Sequence, residues 1–152
     1  MTFSPDISGM VPVAQVPNRE LQAPSRETTQ DITDKVYLAE DVATMRIVAL
    51  NSDNLAVNAN SNTIAHSSSV YGLALDGGIT GDWTRILVKG LYRWAKHGFT
   101  VGGNSLFLKG TTGEIAQTEP TEAESVFWLK IGDVISTNWI RFDIDSSRSI
   151  EL

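Results

Sequence analysis

The sequence predicts an all-β fold, a compact sandwich or barrel of short antiparallel strands that follows an extended N-terminal arm. Three observations carry this prediction. Short segments of period two alternate with turns about every ten residues, which is typical of sandwiches and barrels. Ser, Thr and Asn together supply 36 of the 152 residues, a composition that favours turns. Four of the five prolines fall within the first 34 residues. We therefore expect an arm over residues 1–34, a β-domain over 35–145 and a polar tail over 146–152.

The arm follows from the chemistry of proline. Proline fixes φ, lacks a backbone donor and pushes the preceding residue into extended geometry, so neither a helix nor a central strand can run through this segment. The apolar residues that recur between the prolines are Ile7, Val11, Val13, Val16 and Leu21. A solvated tail does not need them. They favour an arm that binds a partner through these side chains over the alternative, a disordered terminus.

The first part of the β-domain contains three candidate strands, at residues 35–39, 44–50 and 55–57. The second has apolar residues on both faces, which predicts burial on both sides. Residues 58–69 are almost wholly Asn, Ser, Thr and Ala, and this composition predicts a mobile surface loop.

The second part has the strongest β signal. We expect strands at residues 70–75 and 83–89, with the latter continuing to residue 94 past a bulge at Gly90. A hairpin is predicted from 105–108 and 114–117.

The last strands are predicted at residues 126–131 and 138–144, with Gly132-Asp133 as a turn after the first. In the second, Trp139, Arg141 and Asp143 alternate with Ile140, Phe142 and Ile144. A single helical turn is expected at 121–125, because its carboxylates suit a helix N-terminus.

Composition also excludes several classes of function. A net charge of −6 and a pI near 4.8 disfavour a nucleic-acid partner that binds by counterion release. No run of 18 apolar residues is present, so the sequence predicts no membrane partner. The absence of cysteine excludes disulfides, thiolate catalysis and cysteine-based metal sites.

We find no pattern that predicts catalytic, cofactor-binding or metal-binding residues. The two histidines, His66 and His97, are too far apart in sequence for a common ligand spacing. The Asp143-x-Asp145-x-Ser147 pattern lacks the glycine and glutamate of a calcium loop. The paired glycines lack the lysine and the strand–helix context of a phosphate loop.

Aromatic residues give the only candidate surface. Core packing is the default interpretation of all four tryptophans, with Trp94 as the exception. It closes the segment Tyr92-Arg93-Trp94 at a strand end, and Tyr, Arg and Trp are the residues enriched in protein interfaces. These three residues are predicted to form an oligomer or receptor interface.

From residue 35 to 145 the chain resembles small β-domains of tailed-bacteriophage structural proteins. In those domains a G-x-A-L strand is followed by G-D, a V-x-V-x-x-G strand, an aromatic strand end and an L-Y-L strand. A G-x-L-T-x-T-x-P hairpin and a closing strand pair complete them. The corresponding segments here are 70–75, 81–82, 86–91, 106–108 and 113–120, with 129–132 and 139–142 as the closing pair. Residues 35–39 also resemble the V-Y-L-A strand that often opens the domain.

The resemblance implies a non-enzymatic virion structural protein, of the head-decoration, head-fibre or tail-appendage kind, assembled in the host cytoplasm. Such domains often form trimers and carry no catalytic residues. The implied partners are other copies, as a homotrimer, and the major capsid or tail protein, to which the arm would anchor the chain. The alternative is a carbohydrate- or receptor-binding module at a phage tail tip, with Trp94 and Tyr92 stacking on sugar rings.

Overall fold

The computed structural model describes residues 31–102 and 104–152, and in them the all-β prediction is confirmed. Residues 1–30 of the predicted arm, with Ile7, Val11, Val13, Val16 and Leu21, lie outside these residues. In chain order the strands are β1 (Ile32–Tyr37), β2 (Arg46–Leu50), β3 (Ala56–Asn58), β4 (Val70–Ala74), β5 (Trp83–Arg93), β6 (Ser105–Leu108), β7 (Ile115–Ala116), β8 (Phe127–Trp128), β9 (Lys130–Val134), β10 (Trp139–Asp143) and β11 (Ile150–Glu151).

Nine of these strands form one antiparallel sheet that curls into a half-barrel. The order is β3-β2-β4-β5-β10-β9-β6-β7, and β1 also pairs with β5. The curl brings the end of β1 beside β3, where Leu38 and Ala56 form a parallel bridge. Strands β8 and β11 pair separately. In the described part of the chain, no helix has the length and apolar character needed to span a membrane.

Two hydrophobic cores lie on the two faces of the curled sheet. The larger core contains, among others, Ile47, Leu73, Leu87, Leu106, Phe127, Ile131, Ile140 and Phe142. The smaller core consists of Val36, Leu38, Val42, Val48, Ala56, Ala74 and Ile86. Strand β2 contributes to both, as its two apolar faces predict, since Ile47 enters the larger core and Val48 the smaller one.

The long strand β5 contains a bulge at Val88, two residues before the predicted position at Gly90. Thr33 of β1 is opposite Leu87, but Ile32 is opposite Lys89, so Val88 is the extra residue. Its effect is visible in the cores: Leu87 enters the larger core, and so does Tyr92, five positions later. In a regular strand, two residues five positions apart point to opposite faces. Because Leu87 and Tyr92 point to the same face, the bulge between them has reversed which residues of β5 point inward.

One local prediction, the turn at Gly132-Asp133, is wrong. Gly132 and Asp133 lie inside β9 rather than in a turn, and the chain turns at residues 135–138. The glycine is there for close packing, because a Cβ on Gly132 would lie 2.4 Å from the Arg141 carbonyl oxygen. The single turn expected at 121–125 is present, since the Thr121 carbonyl accepts from the backbone N–H groups of Glu124 and Ser125. Short 3-10 helices, which the sequence did not predict, occur at Ile64–Ser68 and Ser146–Arg148.

The polar segment 58–69 is anchored within the fold. The buried side chain of Ser61 lies 2.8 Å from that of buried Ser125, and its backbone donates to the carbonyl of Gly110. Because buried hydroxyl groups need partners, these bonds hold the segment against the 109–126 region. The composition of the segment gave no sign of this contact.

The strand boundaries also shift at both ends of the predicted β-domain. Strand β1 starts at Ile32, ahead of the expected start at Lys35. Strand β11 lies in the segment expected to be a polar tail, and its pairing with β8 places Ile150 opposite Trp128.

Candidate functional site

The structure separates the three predicted interface residues onto two faces of the sheet. Tyr92 and Trp94 are half-buried against the larger core, whereas Arg93 is exposed on the opposite face. Trp94 packs edge-on against Phe99, with ring centroids 5.8 Å apart, and against His97 at 6.4 Å. His97 is fixed in turn, since its Nε2 lies 2.7 Å from the carbonyl oxygen of Ser136. Strand alternation separates the three, so only Arg93 is presented to solvent.

Arg93 belongs to a polar surface that we call the open charged face. It covers the outer side of β5, β10 and β9 together with one residue of the C-terminal segment. Its residues are Lys89, Arg93, Lys130, Asp133, Trp139, Arg141, Asp143 and Arg148. Strand register sets the arrangement: Trp139 is opposite Arg93, Asp143 is opposite Lys89, and Arg141 is opposite Asp133.

A groove of about 260 Å³ lies within this face, between β9, β10 and the 3-10 helix at Ser146–Arg148. Two ion pairs form its walls. Lys130 Nζ lies 3.1 Å from Asp133, and Arg148 Nη1 lies 3.2 Å from Asp143. Gly132 contributes backbone to the lining, so no side chain from this position fills the groove.

The net charge of this face is opposite in sign to the net charge of the whole chain. Its five cations (Lys89, Arg93, Lys130, Arg141, Arg148) outnumber its two carboxylates (Asp133, Asp143). Neighbouring Asp145 pairs weakly with Arg148 at 3.7 Å, and its pKa is lowered mainly by hydrogen bonds from Ser147 and further by Arg148. Even with Asp145 included, the face carries an excess of two positive charges on a chain of net charge −6.

A second exposed surface, which we call the aromatic ribbon, consists of Lys35, Tyr37 and Trp83. Tyr37 of β1 lies directly opposite Trp83 of β5, so both rings are on one face of the sheet. They are 54% and 47% exposed. The Lys35 ammonium lies 4.4 Å from the centre of the Trp83 ring, a cation–π contact.

Trp83 is the functional candidate that sequence analysis missed. It lies in a strand rich in β-branched and apolar residues, which made core packing the default interpretation. The other tryptophans are half-buried, and Trp128 donates from Nε1 to Glu119 at 3.0 Å. Its position in the sequence could have indicated its exposure. Trp83 is the first residue of β5, just after the turn at 80–82, and the end of a strand often extends beyond the core.

Both histidines form hydrogen bonds with nearby backbone groups. No cluster of three or more His, Cys, Asp or Glu side chains suited to a metal ion occurs among residues 31–102 and 104–152. His66 Nδ1 accepts the backbone N–H of Asn60 at 2.9 Å, and desolvation lowers the pKa of this histidine. His97 Nδ1 accepts the backbone N–H of Phe99 at 3.0 Å. Both rings therefore hold local backbone in place.

A scan against protein-family models finds none that matches this chain, and a search of curated proteins finds no matching sequence.

Proposed function

We propose that this chain is a non-enzymatic virion structural protein, a capsid decoration or fibre-like appendage that assembles as a homotrimer. Its N-terminal arm, through Ile7, Val11, Val13, Val16 and Leu21, anchors it to the major capsid or tail protein. The proposal combines the phage-like order of elements with one structural observation, the aromatic ribbon.

The aromatic ribbon supports a contact between copies. Tyr and Trp are the residues that contribute most to protein interfaces, because their rings bury a large area at a small cost in side-chain entropy. Here two such rings are adjacent and about half exposed on the β1–β5 pair. Strand β1 begins at Ile32, within the last residues of the predicted arm, so an interface at this ribbon adjoins the anchoring segment along the chain.

The first test is the solution mass of the full chain by light scattering coupled to size exclusion. We expect about 50 kDa, three times 16.6 kDa, and a fall towards the monomer mass for the double variant Tyr37→Ala/Trp83→Ala. The matched control is Arg141→Gln on the open charged face, which should keep the trimer mass. A full chain that stays at 16.6 kDa at high concentration would contradict the homotrimer, and an unchanged double variant would exclude the ribbon as its interface.

The arm is tested separately by deletion of residues 1–30. We expect the truncated chain to lose co-sedimentation with particles assembled without this protein, because the anchoring side chains are gone. Circular dichroism of the truncated chain provides the control for folding. Particle binding equal to that of the full chain would contradict the anchoring role.

A second candidate function is carbohydrate or receptor binding at a tail tip. The residues first expected to stack on sugars, Tyr92 and Trp94, pack against the larger core instead. The observation that favours this candidate is the open charged face, where Trp139 lies opposite Arg93 and Arg141, two residues after Trp139, lines a groove. A glycan-array screen of the full chain tests it, and the absence of any bound glycan would count against it.

A further inference from the structure

Two arginines flank one tryptophan on the open charged face. Trp139 lies directly opposite Arg93, and Arg141 follows two residues later on the same face of β10. Side chains directly opposite across strands start about 5 Å apart, and alternate residues of one strand start about 7 Å apart. An indole and two guanidinium groups therefore lie within the span of one or two sugar rings.

Three cations of this face, Lys89, Arg93 and Arg141, have no ion pair with a described carboxylate, and the two arginines are the ones beside Trp139. Within the described residues, Lys130 and Arg148 form ion pairs, whereas Arg93 and Arg141 form neither an ion pair nor a side-chain hydrogen bond. A guanidinium presents a planar pair of donors that matches the two oxygens of a carboxylate. The face therefore offers charge complementarity to a carboxylate-bearing ligand.

The carboxylates of the groove restrict the ligand further. Asp133 and Asp143 line the groove beside Arg141. They would repel a ligand with several negative charges, but they accept hydrogen bonds from hydroxyl groups. The groove volume of about 260 Å³ is below the usual range for drug-sized ligands and suits a single ring. Trp139 lies outside the lining but only two residues along β10 from Arg141, so a ring at that end of the groove can reach it. The fitting ligand has one negative charge, several hydroxyl groups and an apolar face that can stack on Trp139.

We propose that the open charged face binds a carboxylate-bearing sugar of the hexuronic acid class. Arg141 and Arg93 bind the carboxylate, Trp139 stacks on the C–H face of the ring, and Asp133 and Asp143 accept from its hydroxyl groups. This inference rests on the second candidate function and names its ligand class. It leaves the virion role and the aromatic ribbon unaffected.

The test is calorimetric titration of the full chain with methyl galacturonide, a singly charged hexuronate, and with the matching neutral methyl galactoside. We expect the acidic sugar to bind at least tenfold more tightly, with an affinity that falls as salt is added, because the contact is partly ionic. Arg141→Gln should weaken binding about tenfold or more. Trp139→Phe should weaken it less, because a ring remains for stacking. Lys35→Gln on the aromatic ribbon is the matched control and should bind like the unchanged chain.

Each other outcome overturns the inference in a distinguishable way. Equal affinity for the neutral sugar would leave carbohydrate binding standing but remove the carboxylate requirement. Equal affinity for an oligoglutamate peptide would make the face a docking site for acidic proteins. No measurable binding of either sugar would remove the hexuronate site, and with the glycan-array screen negative as well it would remove the second candidate function.

Discussion

The two halves of β5 contrast in how their outer face is covered. In the first half, Thr84 and Ile86 are buried, and Ile86 packs in the smaller core against the cover formed by Val36, Leu38 and Val42. In the second half the same face carries Lys89, Leu91 and Arg93, and neither core of the described residues extends over it. The outer face of the first half of β5 is thus covered by β1 and the residues that follow it. The outer face of the second half is exposed to solvent.

The difference shows that a single extra residue determines which surface the chain presents. In a regular strand, Tyr92 would share a face with Ile86 and would point away from the larger core. The bulge at Val88 turns Tyr92 into the larger core and Lys89 and Arg93 outward. The open charged face therefore depends on the bulge as well as on its own side chains.

Deletion of Val88 together with Lys89 should have the largest effect. It makes Gly90 the neighbour of Leu87, so strand alternation turns Arg93 towards the larger core and exposes Tyr92. We expect a loss of more than about 4 kcal/mol in the free energy of unfolding. Deletion of Val88 alone removes only the extra residue, keeps Lys89 and Arg93 outward, and should cost about 1–3 kcal/mol. Urea unfolding and near-ultraviolet circular dichroism measure both, and similar midpoints for the two deletions would mean that the bulge does not set which residues face the core.

Truncation of one side chain in each half should give unequal losses. Ile86→Ala removes a fully buried side chain from the smaller core and should cost about 2–5 kcal/mol. Leu91→Ala on the open face should cost about 1 kcal/mol or less. Both values come from urea unfolding. Equal losses would indicate that the second half is covered in solution, as it would be in an assembly.

A side chain at Gly132 should separate the two strands beneath the open charged face. Its Cβ would lie 2.4 Å from the Arg141 carbonyl oxygen, a backbone atom that cannot move without displacing β10. Gly132→Ala should therefore cost about 1–3 kcal/mol. In Gly81→Ala, the control, φ is +92° and no atom lies within 4 Å of the added Cβ, so only backbone strain is expected. A smaller loss for Gly132→Ala than for this control would refute the packing role of Gly132.

The smallest expected effect concerns the hydrogen bond between Tyr71 and Asp34, which links β4 to β1 beside the first half of β5. Tyr71 of β4 donates its hydroxyl to Asp34 of β1, which raises the pKa of Tyr71 to about 12 and lowers the pKa of Asp34. The tyrosine contribution to stability is complete below pH 10 and is lost as the pH rises through about 12. The aspartate contribution is present above its unfolded pKa of 3.8 and is lost as the pH falls through the lowered value.

Tyr71→Phe removes both contributions and should cost about 0.5–1.5 kcal/mol at neutral pH, since the bond is exposed and screened. Unfolding free energies at neutral and alkaline pH, with tyrosinate absorbance as a second readout, test this. The matched control is Tyr37→Phe on the exposed face of β1, which should keep the alkaline dependence. If Tyr71→Phe left that dependence unchanged, the bond would not contribute in solution.

Much of the fold could be predicted because it depends on local pattern. Alternation located β10 and correctly placed Ile140 and Phe142 inside and Arg141 outside. The role of glycine was predicted less well. Gly132 resembles a turn residue in the sequence, but in the structure it allows β9 and β10 to pack closely. The contact between Ser61 and Ser125 was also invisible, since its partners lie 64 residues apart.

The candidate site was harder to predict than the fold. Tyr92, Arg93 and Trp94 were grouped because they are adjacent in sequence, but in a strand adjacent residues point to opposite faces. Most of the residues that do share a surface with Arg93 come from other strands, with Trp139 and Arg141 on β10 and Lys130 on β9. Trp83 was assigned to the core because composition does not show where a strand leaves it.

The sequence by itself determined the fold class and most of the strands, because backbone propensity and period-two burial act over a few residues. It also determined the net charge and the absence of disulfide chemistry. Tertiary structure decided which residues face solvent together, since that depends on strand register, on the curl of the sheet and on one bulge at Val88. These features arise from pairings between residues distant in sequence, and no local pattern encodes them. The open charged face and the aromatic ribbon are therefore properties of the folded chain alone.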